Sequence, residues 1–332
     1  MNMMKTLLGA AAALAISATG VLAQSPALIF DLGGKFDRSF NESAFNGAER
    51  WAEETGGTYR EIELQNDAQR EQAMRRLAEA GSNPIIMAGF SQASSLEIVA
   101  PDYPDTMFVI IDGVVDAPNV QSIVFSEHEG SYLVGMLAGM ASESGVVSFV
   151  GGMDIPLISR FACGYAQGVV AVNPDATVIA NMTGTTPAAW NDPVRGGELT
   201  RGQIGQGSDV VFAAAGGTGL GVLQTAADEG ILSIGVDANQ NYLHPGMVLT
   251  SMIKRVDVAV FDAFSAGADV EPGLFVYGLA ENGVGYALDE FNAELVTEDM
   301  VAAVDAARAE IIAGTLAVHN FTEDGACPVN MQ

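Results

Sequence analysis

The chain has 332 residues, with 14 lysines and arginines against 41 aspartates and glutamates, so its net charge at pH 7 is −27. Such an acidic surface repels phosphate backbones and anionic headgroups, which argues against binding to nucleic acid or to a membrane surface. The length predicts about two domains.

Residues 1–23 have the pattern of a secretory signal. Lys5 precedes an apolar run over residues 7–16, and small and apolar residues over 21–23 precede Gln24. The apolar run is too short to span a membrane, so the pattern predicts a cleavable leader. No cysteine lies at the predicted cleavage point, and we therefore expect a soluble exported protein without a lipid anchor.

Residues 28–47 are the stretch around which the rest of the chain is organised. An apolar strand over 27–30 ends at Asp31, and Gly33 and Gly34 permit a turn before a helix begins near Glu42. Ligands in open α/β sheets bind beyond the carboxyl ends of the strands. Side chains placed there to hold a small molecule are Asp31, Lys35, Asp37, Ser39, Phe40 and Asn41. Alternatively, Ser39 or Asn41 only caps the helix, and Phe40 belongs to the core.

Helices and short apolar strands then alternate along the chain. Helices are predicted over 43–55, 68–80 and 94–100, with strands over 59–64, 84–88 and 107–112. Continuous apolar runs such as those at 84–88 and 107–112 are typical of strands buried on both faces. The alternation predicts a parallel sheet wound by helices.

The same pattern starts again near residue 124. Helices are predicted over 129–141, 159–172, 194–204 and 220–228, with strands over 146–151, 177–181, 209–212 and 232–236. Because large twisted sheets are unusual, two α/β lobes are favoured over one sheet.

The remainder of the chain is too short to form a third unit. It contains a strand over 247–252, a helix over 254–266, an extended segment over 274–277 and a helix over 299–313. We expect it to cross to the first lobe and return, which makes a hinge of several crossings that allows closure on a ligand. The predicted first lobe is 24–125 with 252–272, and the second is 126–251 with 273–332.

Polar or aromatic residues follow the predicted strands in both halves. They are Asp31, Phe90, Asp112, Met153, Trp190, Thr218 and Asp237. If the lobes face each other, these positions converge on one cleft. Phe40 and Trp190 could then hold a flat ring, and the carboxylates of Asp31 and Asp237 could accept hydrogen bonds from sugar hydroxyls. For each residue taken alone, an ordinary loop aspartate or a core aromatic remains the alternative.

Two patterns resemble enzyme signatures. The run GFSQA over 89–93 approximates a nucleophile elbow around Ser91, but its second glycine is replaced by Ala93 and the three histidines lie in no motif. The glycine cluster over 216–221 departs from the dinucleotide spacing GxGxxG. Metal-ligand spacings and a phosphate-binding P-loop signature are absent from the sequence. We expect a protein that is not an enzyme and that uses neither metal nor cofactor.

The chain has two cysteines, Cys163 and Cys327. An exported protein meets oxidising conditions, so a disulfide that fixes the C-terminal tail is the favoured interpretation. The alternative is two unpaired, buried thiols.

Three segments together resemble one known family. They are the D-x-G-x-x-x-D-x-S-F-N spacing over 31–41, the AFNG that follows at 44–47, and LTSMIKRVD over 249–257. The combination resembles the basic membrane protein family, which are substrate-binding proteins of ABC transporters and include purine nucleoside receptors. The resemblance extends over essentially the whole chain after the leader.

This resemblance implies a type I periplasmic binding fold of two Rossmann-like lobes, with a nucleoside held in the cleft and a purine as its expected base. Phe40 and Trp190 then correspond to the ring clamp, and Asn41 and Asp112 to base-edge partners. The ribose-side contacts are Asp31, Gly216, Asp237 and Lys254. Trp190 departs from the phenylalanine usual in nucleoside receptors, and the lipoprotein cysteine of many relatives is missing.

The resemblance also implies a monomeric periplasmic receptor that delivers its ligand to a membrane permease. Three alternatives stay open at this point: a receptor for another aromatic or sugar-like solute, a receptor that signals to a sensor protein, and a secreted α/β hydrolase that uses Ser91.

Overall fold

The computed structural model describes residues 25–332, and the predicted leader over 1–23 lies outside them. Two six-stranded sheets form the centres of two lobes within this range. The strands are β1 Ala27–Phe30, β2 Arg60–Glu63, β3 Ile85–Ala88, β4 Phe108–Ile111, β5 Val120–Phe125, β6 Val146–Met153, β7 Thr177–Gly184, β8 Val210–Ala214, β9 Leu232–Asp237, β10 Val248–Lys254, β11 Gly273–Tyr277 and β12 Val284–Tyr286.

Nine α-helices in the described range surround these sheets. They are α1 Phe40–Thr55, α2 Arg70–Glu79, α3 Ala93–Val99, α4 Glu127–Ala141, α5 Pro156–Val172, α6 Pro193–Ile204, α7 Thr218–Glu229, α8 Val256–Ala266 and α9 Glu298–Ile312. The predicted alternation of helix and strand in both halves agrees with this order.

The first sheet is covered on both faces. Leu28 and Phe30 of β1 pack into one hydrophobic cluster, and Ala27 and Ile29 between them pack into another. Successive side chains of a strand point to opposite faces of the sheet, so β1 contributes to a buried cluster on each face. This double burial explains why the central strands are continuous apolar runs. β2 lies at the edge, where its sequence REIE is mostly exposed and its charges protect the free edge.

The two sheets repeat one strand order. The first runs β11-β5-β4-β3-β1-β2 and the second runs β12-β10-β9-β8-β6-β7. The five strands of each half therefore occupy matching positions, so that β4 corresponds to β9 and β5 to β10. Each sheet gains a sixth strand from the last part of the chain. All pairs are parallel except β10 with β12. The fold is the type I periplasmic binding fold that the sequence predicted.

The chain passes between the lobes next to β5, β10 and β11. α4 follows β5 and packs on α5 of the second lobe, whereas α8 follows β10 and packs on α1 of the first lobe. Gly135 of α4 and Gly168 of α5 allow the close contact, because a Cβ atom at either position would overlap the backbone of the opposite helix. A hinge of several parallel crossings permits the lobes to rotate as units.

The predicted lobe boundaries need correction at two of the three crossings. β10 continues to Lys254 and pairs with β9, so residues 252–254 belong to the second lobe. β11 was placed in the second lobe, yet it pairs with β5 in the first, with Phe275 opposite Ile123. β5 and β12 were not predicted as strands. A short extended segment carries no information about which sheet edge it joins, and this explains the error.

The C-terminal tail is attached to the second lobe. Cys163 of α5 and Cys327 form a disulfide with a Cα–Cα distance of 5.6 Å. Beyond it, Gln332 continues the sheet, since its N–H donates to the carbonyl of Val178 and its carbonyl accepts from the N–H of Ala180, both at 2.9 Å. The tail thus covers the free edge of β7.

Candidate functional site

A cavity lies between the lobes at the carboxyl ends of the strands. Its empty volume, including the part open to solvent, is about 620 Å³. The first lobe contributes Asp31, Leu32, Asp37, Phe40, Asn41, Gly89, Phe90 and Asp112; the second contributes Leu157, Ile158, Phe161, Trp190, Ala214, Ala215, Gly216, Val236, Asp237 and Lys254. The topology therefore brings the ends of both sheets to one place, as the rule for open α/β sheets requires.

Most of the predicted site residues line this cavity. They are Asp31, Phe40, Asn41, Phe90, Asp112, Trp190, Gly216, Asp237 and Lys254. Lys35, Met153 and Thr218 do not line it. The sequence reasoning missed Leu157, Ile158 and Phe161, which lie on the first turns of α5. Their signal was available, because α5 begins at Pro156 directly after β6, at the same sheet edge as the other site residues.

Lys35 is engaged within the first lobe and away from the cavity lining. Its Nζ pairs with both carboxylate oxygens of Glu61 at 2.7 Å and lies 3.9 Å from the centre of the Phe45 ring. The sequence places Lys35 in the cleft because it follows the strand that ends at Asp31. The carboxylate of Glu61, on the neighbouring strand β2, holds its ammonium away from the cavity instead.

Thr218 supports the cavity wall from behind. Its hydroxyl donates to the carbonyl of Ala189 and accepts from the N–H of Asp192, each at 2.7 Å. Both bonds fix the segment that carries Trp190. Met153 is the last residue of β6 and is only half-buried outside the cavity.

Asp31 is held by three donors. Ser91 donates to its Oδ2 at 2.6 Å, and the N–H of Leu32 and Nη2 of Arg70 reach its Oδ1 at 2.8 and 3.4 Å. Gly89 makes room for this carboxylate, since a Cβ there would overlap Oδ2, and its φ of +112° suits glycine. Burial raises the pKa of Asp31, and the bond from Ser91 opposes the shift.

Ser91 therefore has a different partner from the one that a hydrolase requires. A nucleophilic serine must donate to a general base such as histidine. Here the hydroxyl donates to Asp31, and no hydrogen bond between Ser91 and a histidine occurs within residues 25–332. The Ser91 hydroxyl holds the carboxylate of Asp31, which lines the cavity.

Asp37 caps α1 in place of Ser39 or Asn41. Its carboxylate accepts from the N–H groups of Ser39, Asn41 and Glu42 at 2.8, 3.1 and 3.1 Å. Burial raises the pKa of Asp37 to about 7, against the effect of these three donors. The side chain of Ser39 is thereby free for another bond, and its hydroxyl donates across the cleft to Asp237.

Asn41 uses its amide within its own loop. Oδ1 accepts from the N–H of Asp31 at 3.3 Å, and Nδ2 donates to the carbonyl of Gly34 at 3.1 Å. The amide thus fixes the turn after β1 as well as lining the cavity.

A second contact joins the lobes at the mouth of the cleft. Nε2 of Gln240 donates to the carbonyl of Arg38 at 2.8 Å. Together with the bond from Ser39 to Asp237, it holds the loop after β1 against the loop after β9. The two lobes are therefore in contact over the cavity, as in a closed binding protein.

Asp112 and Asp237 occupy matching places in the two lobes. They follow β4 and complete β9, and both have left-handed backbone conformations, with φ of 65° and 63°. Such conformations are uncommon outside glycine and concentrate at functional sites. The repeated strand order therefore presents one carboxylate from each lobe to the same cavity.

Lys254 lies between carboxylates at the base of the cavity. Its Nζ is 2.6 Å from Oδ2 of Asp112 and 2.9 Å from Oε1 of Glu127. Burial alone would lower the pKa of Lys254, but Asp112, Glu127 and Asp237 raise it above its ordinary value. The lysine is charged at neutral pH. The ring centres of Phe40, Phe125 and Phe161 lie 5.0 to 5.6 Å from Nζ and shield it from water.

Asp112 has one free acceptor. Its Oδ2 contacts Lys254, while its Oδ1 is buried and has no hydrogen-bond partner among the described residues. Burial raises the pKa of Asp112, and the neighbouring ammonium of Lys254 opposes that shift. A buried carboxylate oxygen without a donor is costly, so this atom is a candidate acceptor for a ligand.

Metal sites and membrane-spanning helices each have a recognisable pattern of residues. Within residues 25–332, no cluster of three or more histidine, cysteine, aspartate or glutamate side chains could hold a metal ion. None of the helices in that same range combines the length and apolar character needed to cross a membrane.

Two α/β lobes of matching strand order that enclose charged and aromatic side chains define a solute-binding protein of the periplasmic type. The family model for Bmp, the PnrA-like substrate-binding proteins of ABC transporters, matches residues 25–319, and the chain belongs to this family. The resemblance identified in the sequence is confirmed.

Individual relatives and a solved structure are similar to this chain over most of its length. The chain is 32% identical over 320 residues to the ABC transporter nucleoside-binding protein BmpA of Lactococcus lactis, with 88% of each protein covered. It is 33% identical over 274 residues to an uncharacterised lipoprotein of Pyrococcus abyssi, covering 78% of this chain and 68% of the relative. A solute-binding protein of an ABC transporter from Aeropyrum pernix superposes with a TM-score of 0.80 at 28% identity, covering 89% of this chain and 92% of that one.

Proposed function

We propose that the cleft binds a nucleoside, with a purine as its base, and presents it to the permease of an ABC importer. The observation that carries this proposal is the pairing of aromatic walls with a free buried acceptor. Phe40 and Trp190 reach the cavity from opposite lobes, and Oδ1 of Asp112 has no donor within the described chain. A ligand with a flat ring and hydroxyl or amino donors satisfies both features.

The charge of the cavity supports a nucleoside rather than a nucleotide as the ligand. Asp31, Asp37, Asp112 and Asp237 line it, and Lys254 is the one cation among the lining residues. A phosphate group in this cavity would be repelled by the excess of carboxylates, and the attraction of a single buried ammonium would not compensate for that repulsion. Ribose hydroxyls instead donate to carboxylates. The proposed ribose-side contacts are Asp31, Gly216, Asp237 and Lys254, with Asn41 and Asp112 facing the base.

The name of one relative supports the same ligand class. The Lactococcus lactis protein described above is a nucleoside-binding protein, and this chain matches it along nearly its whole length. Trp190 keeps an aromatic face for stacking, which is worth about 1–3 kcal/mol per base and does not depend on the identity of the base.

We further propose that the protein works as a monomer in the periplasm without a lipid anchor. The sequence contains two cysteines, and both are joined in the disulfide between Cys163 and Cys327. Both cysteines of residues 1–332 are thus engaged, which supports this proposal, whereas a Pyrococcus abyssi relative is named a lipoprotein.

Calorimetric titration of the protein, unfolded to remove retained ligand and then refolded, tests the proposal. We expect purine nucleosides to release binding heat, and free sugars, amino acids and nucleoside monophosphates to release none. Binding of a sugar or amino acid without any response to nucleosides would overturn the ligand class. The mass of the native protein before unfolding reports both a retained nucleoside and the absence of lipid.

A further inference from the structure

One face of α5 holds the C-terminal tail. Arg160, Cys163 and Gln167 are spaced three and four residues apart, which places them on one side of the helix. Cys163 forms the disulfide with Cys327, and Gln167 exchanges two hydrogen bonds with the backbone of His319, at 2.8 and 3.0 Å. Arg160 completes this row at the end of α5 nearest the cavity.

The contact between Arg160 and the tail has a fixed orientation. Nη2 of Arg160 donates to Oγ1 of Thr322 at 2.8 Å. The hydroxyl of Thr322 in turn donates to Oδ1 of Asn320 at 2.8 Å, so its lone pairs face the guanidinium. The tail thus supplies an acceptor that fixes one end of the planar group.

The other end of the guanidinium points into the protein. Nη1 of Arg160 donates to the carbonyl of Phe125 and to Oε2 of Glu127, both at 2.8 Å. The Glu127 side chain is completely buried, and Arg160 is 15% exposed. A fully buried carboxylate needs a charged partner, and Arg160 is one of the two that Glu127 has.

Glu127 links this contact to the ligand cavity. Its second oxygen, Oε1, forms an ion pair with Nζ of Lys254 at 2.9 Å, and Lys254 pairs with Asp112 at 2.6 Å. Asp112 lines the cavity, and its buried Oδ1 has no hydrogen-bond partner among the described residues. A continuous series of hydrogen bonds and ion pairs therefore runs from Thr322 in the tail to the carboxylate of Asp112.

The series is balanced in charge. It contains two cations, Arg160 and Lys254, and two carboxylates, Glu127 and Asp112. Without Arg160, Lys254 would have to serve both carboxylates in a buried place. Two carboxylates that share one counter-charge cannot both stay ionised easily, and one of them takes up a proton.

We propose that Arg160, held by Thr322 of the disulfide-anchored tail, is a positioning residue that keeps Asp112 ionised and oriented toward the ligand through Glu127 and Lys254. This inference rests on the proposed binding function of the cleft. It assigns to the C-terminal tail a role in ligand affinity, in addition to covering the edge of the sheet.

Other titratable groups face this series and must be considered in any measurement of pH dependence. Asp237 approaches Lys254 from the end of β9. His128 of α4 lies near Arg160 and Glu127, and His319 of the tail lies near His128. Burial lowers the pKa of His128 to about 4, so His128 stays neutral over the working range of the experiment.

The test compares Arg160→Gln with the wild type between about pH 5.5 and 8.5. Affinity is measured calorimetrically with inosine as the probe, and stability is measured by urea unfolding without ligand. Arg201→Gln is the matched control, because the Arg201 side chain is 58% exposed and its single ion pair within residues 25–332 is with Glu229.

The two readouts are expected to move in opposite directions with pH. In Arg160→Gln, inosine affinity falls about tenfold near pH 6 and approaches the wild-type value near pH 8.5, because Asp112 is then ionised again. The loss of stability caused by Arg160→Gln is expected to be larger at high pH than at low pH. At low pH a proton neutralises the buried carboxylate that has lost its partner. A purely structural role lowers both quantities by the same factor at every pH, and that result would overturn the proposal.

A milder variant guards against failure of Arg160→Gln to fold. Thr322→Val keeps the size of the side chain and removes the acceptor for Nη2. It should shift the affinity profile in the same direction by a smaller amount, while Thr315→Val, whose hydroxyl donates to the carbonyl of Glu310, should not. An affinity profile identical to wild type in Thr322→Val contradicts the proposal. Lack of inosine binding by the wild type instead contradicts the proposed function.

Discussion

At the scale of single residues, the proposed nucleoside site depends most directly on its two aromatic walls, Phe40 and Trp190, which line the cavity. Trp190 is held by a segment that Thr218 fixes, and Gly152 leaves space for its ring. Phe40 comes from the first turn of α1 in the other lobe. Because the two rings belong to different lobes, they can close on a flat ligand only when the lobes meet.

We expect Trp190→Ala to weaken nucleoside binding by about 1–3 kcal/mol through lost stacking, and Trp190→Phe to retain most of the affinity. Calorimetric titration measures both. Trp51→Phe is the control, since Trp51 packs edge-on against Phe264 far from the cavity lining. Equal affinity of Trp190→Ala and the wild type would remove Trp190 from the site.

At the scale of elements, the start of α1 shows how one segment serves both the fold and the site. Asp37 accepts three backbone N–H groups of the first turn, which leaves the Ser39 hydroxyl for Asp237 and brings Phe40 to the cavity. An acidic cap also interacts favourably with the positive end of the helix dipole.

The cap predicts a pH effect on stability. The pKa of Asp37 rises from an ordinary value of 3.8 to about 7 on folding, mainly because of burial. The folded state then binds more protons than the unfolded state in this range. The contribution of Asp37 to stability is therefore greatest below pH 4 and is lost as the pH rises to about 7.

Asp37→Asn should abolish this dependence. Urea unfolding of the two proteins across the same pH range gives the difference in the free energy of unfolding. The wild type should lose stability relative to Asp37→Asn as pH rises through the window. A difference that stays constant with pH would show that Asp37 does not change its protonation on folding.

At the scale of the whole molecule, the disulfide connects positions that are 164 residues apart. Closing so long a loop restricts the unfolded chain strongly, and native disulfides contribute about 2–4 kcal/mol. The Cys163→Ala, Cys327→Ala double variant should therefore unfold at a lower urea concentration, with a free energy of unfolding reduced by about that amount.

The companion measurement is a thiol count. The denatured wild type should show two reactive thiols only after reduction, and none before it. Two thiols without reduction, or a double variant as stable as the wild type, would contradict a stabilising bridge.

The sequence predicted the repeated pattern of strands and helices because burial on both faces leaves a visible signature. Runs such as IIMA in β3 and FVII in β4 are continuous and apolar, and both are fully buried. The rule that ligands lie beyond strand ends then located Asp31, Asp112 and Asp237 from their positions alone. Predicting these three positions required no knowledge of the contacts between the lobes.

The failures have a common physical origin. Lys35 was expected in the cleft, but its charge is taken by Glu61, which is 26 positions away and neighbours it only in the folded sheet. β11 was assigned to the wrong lobe because its five residues join β5 across a gap of about 150 residues. Local pattern carries the type of an element and leaves its partner undetermined.

The sequence by itself determined the class of fold, the family and the strand-end residues that meet in the cleft, because these follow from local hydrophobic period and short motifs. The tertiary structure decided which charges pair. Four separate parts of the chain contribute Asp112, Glu127, Arg160 and Lys254. The mutual neutralisation of their charges depends on distances of less than 3 Å between them. Electrostatic energy in a buried site varies steeply with such distances, and only the folded chain fixes them.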